Sequence, residues 1–498
     1  MLRHTRLVHL FIAVFSVAAG TAHAQDEPDL HAELLEVNRA QLVMFSERSL
    51  LPPDEIAVLA ATLHRVAEEQ TRPGAARSLS YNALEARLTE LAGPVASNLH
   101  LGRSNNDLGT TINRMRLREL TLELLADLAA VRALVQDLAA KHVDTVMPGF
   151  THAVQAQPTT LAHFLLAFDA ALERDGQRLR EAYARINLST LGSGAFTTSG
   201  FALDRPRLAE LLGFPGLVEN SYDAVMVSSA DSKVEFASAL GISALGIGRF
   251  VQYLIFQYDD PAPGILLTGA IVGRSSIMPQ KRNPSAMERL RLAASEVAAN
   301  AQAAAFFVHN TPMYEVKDVR EDHFLRTQRF AAQASDMYRR LREVLSSLTI
   351  RVEVLRDQVD RDYATMTELA DTLHREARVP FRIGYRVASE LATYGRERGK
   401  RPRELTHAEV ADVYRRVTGD ELPLDIEQVR RTFDPAALVA NRKGRGGPQP
   451  AEVRRMHAEQ QERRIALEGW IEGERARLRQ ASEDLSRRFE ALAAGGPR

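Results

Sequence analysis

Ten residues, Ser275 to Pro284 (SSIMPQKRNP), put two hydroxyls, a lysine and an amide on a stretch that Gly273, Pro279 and Pro284 keep from being one continuous helix. Pro284 suits the first turn of a following helix, so the polar run is expected at a helix mouth. Lys281 is one of only six lysines in a chain that holds 57 arginines. Keeping an ammonium here selects a compact point charge over a planar fork. A hydroxyl, an ammonium and an amide on one loop can take a proton from carbon and hold the anion that results, which is the chemistry of carbanion formation beside a carboxylate. A solvated surface loop leading into a helix is the plainer reading of such a string.

Two further segments carry similar groups. His100 to Asp107 (HLGRSNND) sets small polar side chains beside Gly102 at a helix entrance, where Arg103, Ser104, Asn105, Asn106 and free backbone amides can meet carboxylate oxygens. An ordinary N-cap would use the same residues. Met147 to His152 (MPGFTH) brings Thr151 and His152, followed by Gln155 and Gln157-Pro158. A lone histidine near a helix start serves structure more often than catalysis.

These segments must be held by long elements. From Thr110 to Val146 there is no Gly or Pro, and Leu117, Leu120, Leu124, Leu128, Val131, Leu134, Val135 and Leu138 recur at helical spacing. Further rods are expected over 158–187, 222–258, 284–309 and 322–348, with Gly and Pro gathered at the joints. No period-two run is long enough for a sizeable sheet, and no internal repeat is present. The fold class is all-α, with three helical domains around a central five-helix bundle. Residues 25–109 are expected as an N-terminal helical domain, 110–365 as the bundle and 366–498 as a C-terminal domain. The last of these ends in an amphipathic docking helix with balanced charge.

The three segments resemble signature motifs of the fumarase/aspartase superfamily, and Gln280 before Lys281 points to its argininosuccinate lyase branch. GRSNND is similar to that family's GRSRND, with Asn105 where the family has arginine. That exchange removes a bidentate carboxylate clamp. MPGFTH resembles the opening of MPGYTHLQRAQP. The resemblance implies Ser275 as the catalytic base with Ser276 beside it, Lys281 and Asn283 on the aci-carboxylate, and His152 as proton donor or relay, paired with Glu288. It also implies substrate contacts from Arg103, Ser104, Asn105, Asn106, Thr151 and Gln157. The implied reaction is β-elimination of an N-substituted aspartate to fumarate and an amine or guanidine, on a small dicarboxylate substrate, by a homotetramer whose subunits share each site, with no metal or organic cofactor. Departures cluster where the family recognises the leaving group. Tyr314 is displaced, Arg320 and His323 replace other side chains, and a short insertion precedes Ser228-Ser229-Ala230-Asp231. A non-catalytic binding or structural tetramer and a carbon–oxygen eliminating or lactonising relative remain open, with Gln280 weighing against the last.

Charge is nearly balanced, at a net −1, which gives no electrostatic footprint for nucleic acid or an anionic membrane. The absence of cysteine excludes disulfides, thiolate nucleophiles and Cys-type zinc sites. Arg3 and Arg6, the apolar run Leu7 to Ala19 and Ala22-His23-Ala24 before Gln25 predict a signal peptide over 1–24 and a periplasmic or secreted protein. A misassigned start would leave it cytoplasmic. No later segment reads as long and apolar enough to span a membrane.

Overall fold

The computed structural model describes residues 29–317, 319 and 323–495, so the expected signal segment and the stretch 320–322 lie outside the described residues. Helices α1 (His31–Glu47), α2 (Pro53–Thr71) and α3 (Tyr81–Ala92) come first. Pro53 fills the first turn of α2, and the Ser80 hydroxyl caps α3 by accepting from the Ala83 amide. Leu42, Phe45, Leu63, Leu84 and Leu88 close a core among them.

The bundle follows as expected. Its rods are α4 (Asn105–Lys141), α5 (Leu161–Ile186) and, after the short α6 (Arg205–Leu211), α7 (Ser228–Phe256), α8 (Ser285–Val308) and α9 (His323–Ser346). Leu124, Leu128, Val131 and Val135 of α4 share one buried cluster with Leu165 and Leu172 of α5, Phe236 and Ile247 of α7, Leu290 and Val297 of α8, and Met337 and Leu341 of α9. The first rod begins at Asn105 instead of Thr110, because Ser104 and Asp107 form a capping box there. The second begins at Leu161 instead of Pro158, because 146–160 folds as an antiparallel hairpin of β1 (Val146–Thr151) and β2 (Val154–Thr160). The other sheets of the described residues are also two-stranded: β3 (Ile265–Leu267) pairs with 348–350, and β4 (Gly273–Arg274) pairs with β5 (Arg282–Asn283). The strand at 348–350 is β6 (Leu348–Ile350).

One expectation needs correction: the stretch Asp223–Asp259 is long and apolar enough, by composition, to cross a membrane. Its placement explains that composition. Half of its most apolar window is buried within the bundle, and Ile242 and Leu245 stand on its outer face at 45% and 59% exposure. A central helix with an apolar outer stripe reads as membrane-like for reasons of packing.

Where α4, α5 and the last helix meet, a buried ion pair fixes their register. Arg132 donates to both Asp169 carboxylate oxygens (2.9 and 3.1 Å), Gln136 donates to the second (2.9 Å), and Arg132 also reaches Gln460 O (3.4 Å). Beyond the bundle come α10 (Val352–Asp360), α11 (Met366–Ala377), α12 (Phe381–Glu397), α13 (His407–Thr418), α14 (Ile426–Thr432) and α15 (Pro435–Ala440). Leu369, Leu373, Leu391, Val410 and Phe433 form a separate core among these. The final helix, α16 (Pro450–Ala493), leaves that core: Val453, Leu467 and Ile471 pack into the bundle, and Leu485 and Phe489 join the core of α1 to α3. It docks through a sparse apolar stripe and so ties both ends of the molecule together.

Candidate active site

The signature loop is a hairpin held at its base. Gly273 pairs with Asn283 and Arg274 with Arg282, so Ser275 and Lys281 follow at the next rung on opposite strands. Gly273 is required there, since a Cβ would collide with Ser285 Oγ at the head of α8. Inside the loop the amides of Met278 and Ile277 donate to Ser275 Oγ (3.0 and 3.4 Å), and the Lys281 amide donates to Met278 O (3.1 Å). Two N–H groups aimed at one hydroxyl oxygen favour its deprotonated form. Ser275 and Asn283 are half-buried, while Ser276, Lys281 and Glu288 are exposed.

His152 occupies the tip of the β1–β2 hairpin. Thr151 pairs with Val154, which leaves His152 and Ala153 as a two-residue turn with φ of 53° and 59°. Both angles are positive, the geometry that matches the strand twist and that Asn-Gly usually supplies. Two non-glycine residues held there store strain of order 1 kcal/mol or more each, and such strain collects at functional sites. The hairpin is braced from outside: Gly149 sits at a bulge where a Cβ would lie 2.8 Å from Gln157 O, and Phe150 meets Phe256 edge-on (5.3 Å). Gln155 donates to Val359 O (2.9 Å) and Gln157 to Thr367 Oγ1 (3.1 Å), which ties β2 to α10 and α11. Thr151 and His152 are exposed.

Ser104 caps α4, its hydroxyl accepting from the Asn106 amide (3.2 Å). Asp107 organises the surroundings: one oxygen accepts from the Ser104 and Leu108 amides, the other from Gly192 and Gly194 (2.9 and 3.1 Å). Burial pushes this carboxyl up to about 6 although those amides and Arg103 pull it down. Asn105 is exposed at the mouth and reaches Asn82 (3.4 Å), while Asn106 is buried. Arg103 turns away from the mouth into the N-terminal core, where it donates to Asn38 Oδ1 (2.9 Å) and lies over the Tyr81 ring (4.6 Å).

The three segments stand at two ends of one bundle. Arg114, near the start of α4, donates to Ser228 at the start of α7, whereas Phe256 at the far end of α7 meets the hairpin. Because α8 returns antiparallel to α7, with Gly241 against Ala301 and Gly248 against Ala294, the signature loop shares the hairpin's end. At 1.5 Å per residue α4 alone separates Ser104 from that end by about 50 Å. Among the described residues no hydrogen bond or ion pair joins His152 to Ser275, Lys281 or Glu288 within the chain.

On the far side of the Ser104 mouth Lys233 escaped the sequence reading, and His323, singled out there as a departure from the family, proves to be buried. The insertion before Ser228 is absorbed as a π-helical turn, Asp223–Val227, that starts α7. Behind it Lys233 is buried and donates to Val319 O (2.9 Å), holding the segment that leads into α9. Burial, with Arg114 nearby, pushes its ammonium down to about 7. His323 begins α9 fully buried and is pushed down to about 4 by burial and by Lys233 and Arg326. The scarcity of lysine was the available signal for Lys233, but its setting in an apolar helix hid its burial.

A lyase family model matches residues 16–299, and one for the argininosuccinate lyase C-terminal region matches 363–440. An argininosuccinate lyase of Methanoculleus marisnigri is 38% identical over 413 residues, 82% of either chain. The chain belongs to the argininosuccinate lyase family. Within the wider superfamily, a crystal structure of EDDS lyase with formate superposes at a TM-score of 0.85 with 28% identity, over 94% of this chain and 92% of that one. The 3-carboxy-cis,cis-muconate lactonizing enzyme of Pseudomonas putida shares the fold, at a TM-score of 0.67 and 21% identity over 88% and 96%. For this member of the argininosuccinate lyase family the lyase match starts at residue 16, inside the expected signal segment.

Proposed function

We propose that the protein is a carbon–nitrogen lyase that releases fumarate from an N-substituted aspartate by β-elimination. The observation that carries the reading is the hairpin that turns two backbone amides onto Ser275 Oγ and sets Lys281 across from it. In the proposed reaction Ser275, as alkoxide, removes a proton from the carbon next to a carboxylate. The electron pair moves into that carboxylate, and the resulting dianion is held by the Lys281 ammonium and the Asn283 amide. The carbon–nitrogen bond then breaks, and His152, oriented by Glu288, supplies the proton to the departing nitrogen. Ser104, Asn105, Asn106, Thr151, Gln157 and Ser276 bind the dicarboxylate, and Arg103 supports the Ser104 turn from behind. Relatives named argininosuccinate lyase and EDDS lyase support the bond type.

Such a site needs more than one chain, because its segments lie at opposite ends of the bundle. Exposed Ile242 and Leu245 on α7, with Leu292 and Phe306 on α8, offer apolar outer faces for bundle-to-bundle packing. We therefore read the active form as a homotetramer. Export remains our reading of residues 1–24, tested by finding Gln25 as the mature N-terminus in the periplasmic or secreted fraction. The function itself is tested by following fumarate absorbance with a panel of N-substituted aspartates. Release is expected from the wild type and lost in Ser275→Ala; a Ser275→Ala protein as active as the parent would remove the mechanism.

A further inference from the structure

The cavity beside Asn105 has a composition that speaks to the leaving group. About 460 Å³ in volume, it lies between the start of α1, the start of α3, the first turns of α4 and the start of α9. Leu34, Leu79 and Phe324 form its apolar wall, and Asn82, Asn105 and Asn113 supply amides. Among the described residues that line it, none carries an ionised side chain, since burial holds the Tyr81 phenol neutral with its pKa up to about 12. Behind the Tyr81 ring stands the Arg103 guanidinium, 4.6 Å from the centroid. A cationic group entering the cavity would lose its hydration and meet no carboxylate among the described lining side chains; Glu85 stands outside the lining, accepting from the Tyr81 hydroxyl (3.4 Å), with Arg103 over the same ring. An apolar group would gain by burial against Leu34, Leu79 and Phe324.

We infer that this cavity receives the substituent on the substrate's nitrogen, and that this substituent is apolar and carries no charge of its own, of the N-alkyl or N-aralkyl class. The inference rests on the lyase reading above and narrows it to a substrate class. Asn105 sits at the junction: it stands at the carboxylate-binding mouth and also lines the cavity, so a dicarboxylate held there points its substituent inward. Where an arginine would carry charge into this space, the asparagine leaves it neutral.

The test compares fumarate release from N-benzylaspartate, N-(2-aminoethyl)aspartate and argininosuccinate by the full-length protein. The kcat/KM for the benzyl compound is expected to exceed the other two by about 100-fold or more. Leu79, at the rim and 45% exposed, can be changed without disturbing a core. Leu79→Asp should lower kcat/KM for the benzyl substrate by about tenfold and raise it for the aminoethyl substrate. If argininosuccinate or the aminoethyl compound reacts as fast as the benzyl compound, the inference falls while the lyase reading stands. If no substrate yields fumarate, the lyase reading falls. The cavity is then judged by calorimetry of N-benzylaspartate with the Ser275→Ala protein. Binding weakened about tenfold by Leu79→Asp supports it. Absence of binding, or binding indifferent to Leu79→Asp because another segment fills the space, overturns it.

Discussion

Lys281 is exposed and has no hydrogen bond or ion pair to another described side chain, so its retention in an arginine-rich sequence is not explained by stability. In the proposed reaction a point charge faces a developing dianion there, which would account for it. Lys281→Met should lower kcat by about 10²–10³, the usual worth of one preorganised donor. Lys281→Arg should fail to restore most of that loss, because a planar fork cannot occupy the ammonium's position. Both variants should unfold within about 0.5 kcal/mol of the parent, which thermal melting checks. Lys233 presents the opposite case, a buried ammonium whose pKa falls from its ordinary 10.5 to about 7. Between those values the unfolded chain binds more protons than the folded one, so stability should rise with pH across that window. The penalty is complete below about pH 7 and gone above about 10.5. Lys233→Met should therefore stabilise the protein at or below pH 7 by about 1–4 kcal/mol, less about 1 kcal/mol for the lost bond to Val319 O. It should also flatten the slope of stability between pH 7 and 10, measured by denaturant titration; an unchanged slope would place the buried charge elsewhere.

Helices, hairpins and caps decide where these side chains stand. The β1–β2 hairpin aims His152 only if its bulge is kept, and Gly149 has Gln157 O where a Cβ would go. Gly149→Ala should shift the hairpin tip by a fraction of an ångström to an ångström and cost about 100-fold in kcat. The same change should destabilise the fold by about 1–3 kcal/mol. Equal kcat in the variant would show that His152 needs no such aim. This hairpin was not legible in the sequence. Met147 to Thr160 has no clear alternation, and its turn is His152-Ala153 in place of Asn-Gly, so the Gly and Pro residues read as a plain joint. The rods were legible for the opposite reason: an uninterrupted three-and-four spacing such as Leu117 to Leu138 has only one compact use. The π-helical turn at Asp223–Val227 shows the remaining gap, since an insertion is visible in sequence while the backbone's way of absorbing it is not. The burial of Lys233 likewise depends on Val319, a partner 86 residues away.

At the scale of the molecule, the three motif segments are readable one by one, but their separation is set by topology. Ser104 lies at the end of the bundle where α7 begins, and His152 and Ser275 at the end where it finishes. About 50 Å of α4 lies between them, far beyond any loop movement. A site that uses all three must borrow segments from neighbouring copies, and closed symmetry lets each copy give and receive in turn. Mixing two inactive proteins should then regenerate activity. In assemblies re-formed from equal amounts of Ser275→Ala and His152→Ala chains, a site that takes the loop from one chain and the hairpin from another is intact in roughly a quarter of cases. Activity near that fraction of the parental value is expected after joint denaturation and refolding, and none after each protein is refolded alone. Recovery that stays at zero would mean that one chain supplies both His152 and Ser275 to the same site. The two exposed segments at the shared end of the bundle would then have to meet within the subunit, and a site that takes the loop and the hairpin from different copies would give way to a hinge that closes the hairpin onto the loop.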